Sequence, residues 1–347
     1  MQIDYLIIGQ GLAGSLLAWE LIQRKRRVVV LDPNQENASQ VAAGLINPVT
    51  GKRLVKTDTV DTLLPVAHQL YRELSRFFKQ DFLIEKPMLR LLRTPDEVNS
   101  SRARLQDSSY QAYLGTIIPA DRIDYPLNNL IAALIQKQTA YLLTRPLLAS
   151  LKAYFIGLDS YRQATVDYPE IKIRPVLQWQ DLQPERIIFC EGFKALHNPW
   201  FGKLPFQPAK GQILTLRTEQ PVPDYILNYG NWLTPIDSRH FRIGATFERD
   251  TLDLSPTEIG KHQLLQALRP ISAKLAAAAV IDQQANIRPC TQDRQPFIGS
   301  HPEYPEFWLF NGFGAKGSLQ IPWYSRHLAD VLLTGQTLES TCNIKRL

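Results

Sequence analysis

The stretch IDYLIIGQGLAG, Ile3 to Gly14, decides how the rest of the chain is read. Ile3 to Ile8 is a short, mostly apolar run with almost no alternation, the pattern of a parallel strand covered on both faces. Gly9, Gly11 and Gly14 then take the glycine places of a G-x-G-x-x-G. Gly9 permits the tight turn, Gly11 leaves room for backbone to approach a pyrophosphate, and Gly14 lets the next helix pack closely on the strand. That helix is expected over Leu12 to Gln23, with Leu16, Leu17, Trp19, Leu21 and Ile22 available for packing. Its first turn, at Leu12 and Ala13, offers unpaired N–H groups and partial positive charge, which suit a diphosphate. A second strand, Arg27 to Asp32, ends in an acid about 20 residues past the glycines, where a carboxylate can accept hydrogen bonds from an adenosine ribose. A 2′-phosphate there would meet like charge, which disfavours NADP. Strand, loop, helix, strand and acid in this order describe a βαβ dinucleotide-binding unit rather than a bare glycine turn.

A chain of 347 residues can bury a large core and divide into two domains. Hydrophobic content of 44% and charged content of 21% are ordinary for a globular protein. No run approaches about 18 uninterrupted apolar residues, so no membrane span is expected. The chain enters its first strand at once, leaving no room for a signal peptide, and a cytoplasmic location is the expectation. Cys190, Cys290 and Cys342 are scattered, giving neither a disulfide framework nor a metal spacing. The histidines show no H-x-x-x-H or H-E-x-x-H pairing, so no metal site is expected. The formal charge is +6. Basic clusters at Arg24–Arg27 and Lys52–Arg53 read as solvated surface or as attraction for an anionic partner such as RNA.

Further along, residues 62–79 carry an amphipathic helical pattern, and 82–94 hold strand-like runs interrupted by Pro87. Residues 96–116 are expected to be helical, as is Asp124 to Gln138, where Leu127, Leu130, Ile131, Leu134 and Ile135 share one side. Lys172–Val176 suggests a short extended segment. Arg186–Gly192 reads as a buried strand ending in glycine, while Gly211–Arg217 and Phe241–Phe247 alternate as antiparallel strands do. The end, Trp308 to Leu332, repeats strand, glycine-rich loop and helix. The fold expected is mixed α/β and α+β: a Rossmann-like dinucleotide-binding domain with an inserted antiparallel-sheet substrate domain. Its discontinuous nucleotide part is assigned to 1–75, 140–200 and 285–347, and the substrate or cap part to 76–139 and 201–284.

Two stretches choose the cofactor. Ala42, Ala43 and Gly44, within Ser39–Pro48, are small enough to lie against a flat ligand. Gly312, Gly314, Ala315, Lys316 and Gly317 open a second helix. Two glycine loops far apart in sequence suit one long ligand gripped at both ends, and FAD fits this better than NAD. Reduced flavin carries negative charge near N1, which a helix N-terminus and a cation would stabilise. Lys316 is assigned that role, the alternative being a solvent-facing lysine.

Taken in order, the fingerprint, the Ala42–Pro48 loop, Phe189–Gly192, Lys210–Gln212, Ile243–Thr246, Arg288–Gly299 and the last loop resemble the D-amino-acid oxidase superfamily of FAD-dependent oxidoreductases, the glycine oxidase and sarcosine oxidase group. The resemblance spans nearly the whole chain. It implies an enzyme that oxidises the C–N bond of a small amine or amino acid by hydride transfer to flavin N5, with imine hydrolysis and reoxidation by dioxygen or another acceptor. It also implies that Gly192 lies in the cofactor site and that Arg288 grips a substrate carboxylate, which a planar guanidinium can hold bidentately. The alternative for Arg288 is a salt bridge to Asp293 or a backbone brace. Asn47 and Trp232 are assigned to the pocket. Relatives place a tyrosine near Trp232, whose indole offers no hydroxyl. Some relatives tether FAD through cysteine; Cys290 is too close to Asp293 to match, so noncovalent FAD is expected. The Arg288–Pro296 block and Gly314–Gly317 also resemble the oxidase domain of the bifunctional enzyme that modifies the tRNA wobble uridine, although these 347 residues hold no counterpart of its methyltransferase domain. A flavin-binding protein without turnover is the remaining alternative.

Overall fold

A computed structural model describes residues 1–346. The strand β1 (Gln2–Ile8), the helix α1 (Leu12–Gln23) and the strand β2 (Val28–Asp32) form as the sequence reads. They belong to a six-stranded sheet ordered Tyr161–Gln163, β2, β1, Gln183–Phe189, Phe307–Asn311, Phe297–Ser300. Every neighbouring pair is parallel except the last. Burial on both faces accounts for the unbroken apolar runs. Tyr5, Ile7, Val28 and Val30 pack with α1 and with the helices Val60–Phe78, Thr144–Gly157 and Gly317–Thr334. Leu6, Ile8, Val29 and Leu31 instead meet Trp179 and Phe201 on the far side.

A second, eight-stranded sheet runs Ala279–Arg288, Ala209–Arg217, His240–Gly244, Trp232–Pro235, Ile226–Asn228, Met88–Leu92, Ala132–Gln136, Leu114–Pro119. Leu89, Leu91, Leu214, Leu216, Leu233, Phe241 and Ile243 pack under Leu264 and Leu268 of the helix Glu258–Leu268. Each fully buried side chain of this size stabilises by about 1.5–3 kcal/mol. Because side chains alternate along a strand, the intervening residues face the other way. Register then sets Ile213, Gly244, Trp232, Asn228 and Arg90 in one row across that inner face. The adjacent row touches the loop after β2: Arg242 donates to the carbonyls of Val41 and Ala42 at 2.6 and 3.1 Å.

The structure corrects two local expectations. Asp124–Gln138 is not a helix; Ala132–Gln136 is a strand paired on both sides. Pro126 disfavours helix, Asn129 adopts φ +53°, and the Asn129 side chain donates to the Pro270 carbonyl at 2.8 Å. The apolar residues at helical spacing also alternate, and alternation wins: Ala133 enters the core under Leu264 and Leu134 the opposite one. Residues 96–116 divide into a helix, Pro95–Leu105, a single turn and the strand Leu114–Pro119. The helices Thr144–Gly157 and Glu258–Leu268 were not anticipated. Pro87 does separate two strands, Leu83–Glu85 and Met88–Leu92, which join different sheets. No described helix is long and apolar enough to cross a membrane.

Candidate active site

Gly9 has φ +106°, and a Cβ there would lie 2.5 Å from the Cys190 carbonyl oxygen. A Cβ on Gly14 would lie 2.0 Å from the Gly9 oxygen. Both positions therefore exclude larger residues, and the turn lies flat against the end of the strand Gln183–Phe189. Gly11, the N-cap of α1, has no side chain to cap the helix. The Leu12 amide donates to Ser39 Oγ at 2.9 Å, while the amides of Ala13 and Gly14 find no acceptor among the described residues. Two free amides on a positive helix end are what an anion needs.

Asp32 is buried, and its carboxylate accepts from the amides of Gln10 at 2.8 Å and Asn34 at 2.7 Å. It thus braces the glycine turn and keeps lone pairs for a further donor. Asn37 and Gln40 form a capping box that holds Ser39 in place. Gly44 has φ +71°, and a Cβ there would lie 2.1 Å from the Leu142 oxygen. Ala42 and Ala43, just before it, stay partly exposed.

The second loop joins the first through Gly192. The buried Asn311 donates from Nδ2 to the Gly192 carbonyl and accepts from the Gly312 amide, both at 2.8 Å. Gly312 has φ +86°, with Thr291 2.7 Å from the position of a Cβ, and the Gly314 amide donates to the Pro289 carbonyl at 3.2 Å. Ala315 is exposed, and Gly317 begins a helix without a side-chain cap. Lys316 Nζ lies 3.3 Å from Thr57 Oγ1, and the Thr57 amide donates to the Pro48 carbonyl at 2.8 Å. Residues 9–14, 42–48 and 312–317 therefore surround one region. A cradle with two free amides, and a second uncapped helix start beside a lysine, fit an elongated dinucleotide such as FAD.

Burial pushes four basic groups of this region below their ordinary range: Arg242, to about 10, and Arg90, Arg288 and Lys316. For Lys316, repulsion from Arg294 adds to burial and Asp58 opposes it. None of the four has a carboxylate within 4.0 Å among the described residues. Arg288 lies across Gly211, where a Cβ would come within 2.0 Å of its Nη2. Its guanidinium donates only to the carbonyls of Thr246, at 3.3 Å, and Lys210, at 3.4 Å. Asp293, the partner considered from sequence, is bonded instead by Arg346 Nε at 2.8 Å.

Trp232 lies over Gly244, whose Cβ would fall 2.4 Å from the indole. Asn47 is turned inward: Nδ2 donates to Met88 Sδ at 3.3 Å and Gln136 Oε1 at 3.4 Å, and Oδ1 accepts from the Val49 amide. Its amide is engaged by protein rather than left free. Sequence reasoning missed Ser39, Arg242, Asn311, Arg90 and Asn228. Only Ser39 and Asn311 carried a local signal, being polar residues beside the glycine loops.

The model of the DAO family, described as FAD dependent oxidoreductase, matches residues 4–331, and the chain belongs to that family. Among curated proteins it is 22% identical to glycine oxidase of Pseudomonas putida strain KT2440, over 96% of this chain and 95% of the relative. It is 23% identical to the tRNA 5-methylaminomethyl-2-thiouridine biosynthesis bifunctional protein MnmC of Marinobacter nauticus, over 94% of this chain and 54% of the relative, so it spans about half of that protein. Among solved structures, glycine oxidase from Geobacillus kaustophilus superimposes with a TM-score of 0.82 at 21% identity, covering 97% of this chain and 96% of the other.

Proposed function

We propose that the chain oxidises the C–N bond of a carboxylate-bearing amine. The reading is carried by Arg288, a buried guanidinium with carbonyl partners only, set beside the second glycine loop. FAD held by Ala13, Gly14, Asp32 and the Gly312–Gly317 loop would supply the hydride acceptor for this oxidation, and water would hydrolyse the imine product. Arg288 holds the substrate carboxylate with charge-assisted bonds and so orients the α-carbon. Trp232, over Gly244, forms a flat apolar wall that excludes water. Lys316 and the helix start at Gly317 supply positive charge for the reduced cofactor. Asp32, Ala13 and Gly14 hold the nucleotide end. Residues 1–75, 140–200 and 285–347 form the cofactor part, and 76–139 and 201–284 the substrate part.

FAD is held without a covalent bond. Burial raises the thiol of Cys342 to about 12 and pushes Cys190 and Cys290 upward too, leaving all three protonated and poorly nucleophilic. Acid precipitation should release the flavin into the supernatant; flavin left in the pellet would refute this. Anaerobic titration with N-substituted glycines should bleach the flavin band, and no bleaching by any amine would refute the oxidation. The match to the bifunctional tRNA-modifying relative favours a second reading, the same chemistry on a modified uridine. Salt-dependent tRNA binding, with bleaching by the modified nucleoside and not by free amino acids, would select it.

A further inference from the structure

The hairpin Val49–Lys56 rises from the candidate active site and carries two exposed cations at its tip. It is rooted at Asn47 on one side and at Thr57, beside Lys316, on the other. The tip bears Lys52 and Arg53. Arg90 braces it from below, donating from Nη1 to the Gly51 carbonyl at 2.8 Å and from Nη2 to the Lys52 carbonyl at 3.3 Å. Arg104 does the same to the Arg53 carbonyl at 3.2 Å. None of these four cations has a carboxylate within 4.0 Å among the described residues. Glu97, the carboxylate nearest in effect to Arg90, is occupied by the amides of Arg93 at 2.6 Å and Thr94 at 3.3 Å. A guanidinium has five donors, so Arg90 keeps N–H groups beyond the two that brace the loop.

Arg90 also lies in the row that contains Gly244, Trp232 and Asn228, which continues to Leu134 on the next strand. Gly211, beneath the Arg288 guanidinium, and Arg90 stand four strand spacings apart, roughly 19 Å along the sheet at about 4.8 Å each. One small amino acid cannot touch both ends. Trp232 offers an apolar floor between them, and the Asn228 side chain forms no hydrogen bond within the described protein.

We propose that Lys52, Arg53 and Arg90 form a second anion subsite, and that the substrate is an elongated amine with a carboxylate at its reacting end and a phosphate or second carboxylate at its far end. The inference rests on the assignment of Arg288 to the reacting carboxylate. It assigns a substrate class to the same site.

The test uses the FAD-loaded full chain and N-alkylglycines of increasing tail length, ending in phosphonate, carboxylate or neutral hydroxyl. At the best length, kcat/KM for a charged tail should exceed that for the hydroxyl tail by roughly 10- to 100-fold, an advantage that falls with added salt. The ratio should collapse toward one in Lys52→Gln/Arg53→Gln, whose side chains are exposed, and in Arg90→Gln. Thioether carboxylates with the same tails, which cannot be oxidised, should give the same ranking by calorimetry. The phosphonate and carboxylate arms decide which far-end anion is preferred. Turnover of N-methylglycine without any preference for charged tails would overturn the subsite alone. Failure of every amine to reduce the flavin would overturn the parent reading, while the calorimetric ranking still judges the subsite.

Discussion

Two groups of partly buried cations occupy this molecule, and they are treated oppositely. Between helices, Glu20 of α1 pairs with Arg24, the residue that caps the end of that helix, and with Arg326 Nε at 3.0 Å. Arg24 reaches Asp330 at 3.1 Å, and Arg326 reaches Glu73 at 2.9 Å. Hydrogen bonds to its carboxylates raise the Arg24 pKa despite burial. Around the candidate site, Arg90, Arg242, Arg288 and Lys316 have only carbonyl or hydroxyl partners, and burial lowers all four. A desolvated charge without a counter-charge is costly. The first group joins three helices through carboxylates; the second has no carboxylate within 4.0 Å among the described residues.

Arg288 is where that contrast can be broken most visibly. Arg288→Gln should lower kcat/KM for carboxylate-bearing amines by about 10²-fold or more, since breaking a buried charge pair costs about 3–5 kcal/mol. Flavin content and spectrum should be unchanged. Arg288→Lys should recover only part, because an ammonium cannot make the bidentate contact. Steady-state kinetics with N-methylglycine decides it, and equal turnover in both variants would make Arg288 a backbone brace.

Arg242 comes next. Its two bonds hold Val41 and Ala42 in the loop expected to face the cofactor. Arg242→Met keeps the aliphatic stem and removes the brace. The dissociation constant for FAD should rise about tenfold, equivalent to a charge-assisted bond of about 1.5 kcal/mol. Flavin fluorescence on reconstitution of apoprotein measures this. Unchanged affinity would show that the loop stands without the guanidinium.

Lys316 should act on the cofactor's electronics rather than on its affinity. Lys316→Met should weaken sulfite binding to the flavin by a few-fold to about tenfold. The pH dependence fixes the sign. Burial lowers the Lys316 pKa, so its charge is lost on raising pH before an ordinary lysine would lose it. The gap between wild type and variant should therefore close as pH rises through that depressed value. A gap constant with pH would assign the effect to packing.

The same contrast explains what the sequence could disclose. The Gly9–Gly14 turn, Asp32 and the Gly312–Gly317 loop are local patterns, each legible from a few consecutive residues. Arg242 meets Val41 across 201 positions, and Arg90 joins Trp232 only because Met88–Leu92 pairs in parallel with Ile226–Asn228. No window on the chain contains either fact. Asp124–Gln138 failed differently, because a strand buried on both faces and a helix can share apolar spacing. Asn47 lies just before the hairpin, but the direction of its amide depends on Met88 and Gln136, which arrive from the eight-stranded sheet.

The smallest effect belongs to the paired group and serves as its control. Arg326→Gln removes bonds to Glu20 and Glu73 but leaves Glu20 its second partner, Arg24. Glu20 is therefore not stranded as an isolated buried charge, and the severe penalty for an orphaned ion does not apply. Arg326 keeps a quarter of its side chain exposed and Glu73 about a third, so water and salt screen what is lost. Urea unfolding should show a loss of about 1 kcal/mol, smaller at high salt, with kcat/KM and FAD affinity unaltered. A catalytic defect without loss of stability would place this helix network in communication with the active site and dissolve the distinction between charges that hold the fold and charges that receive a ligand.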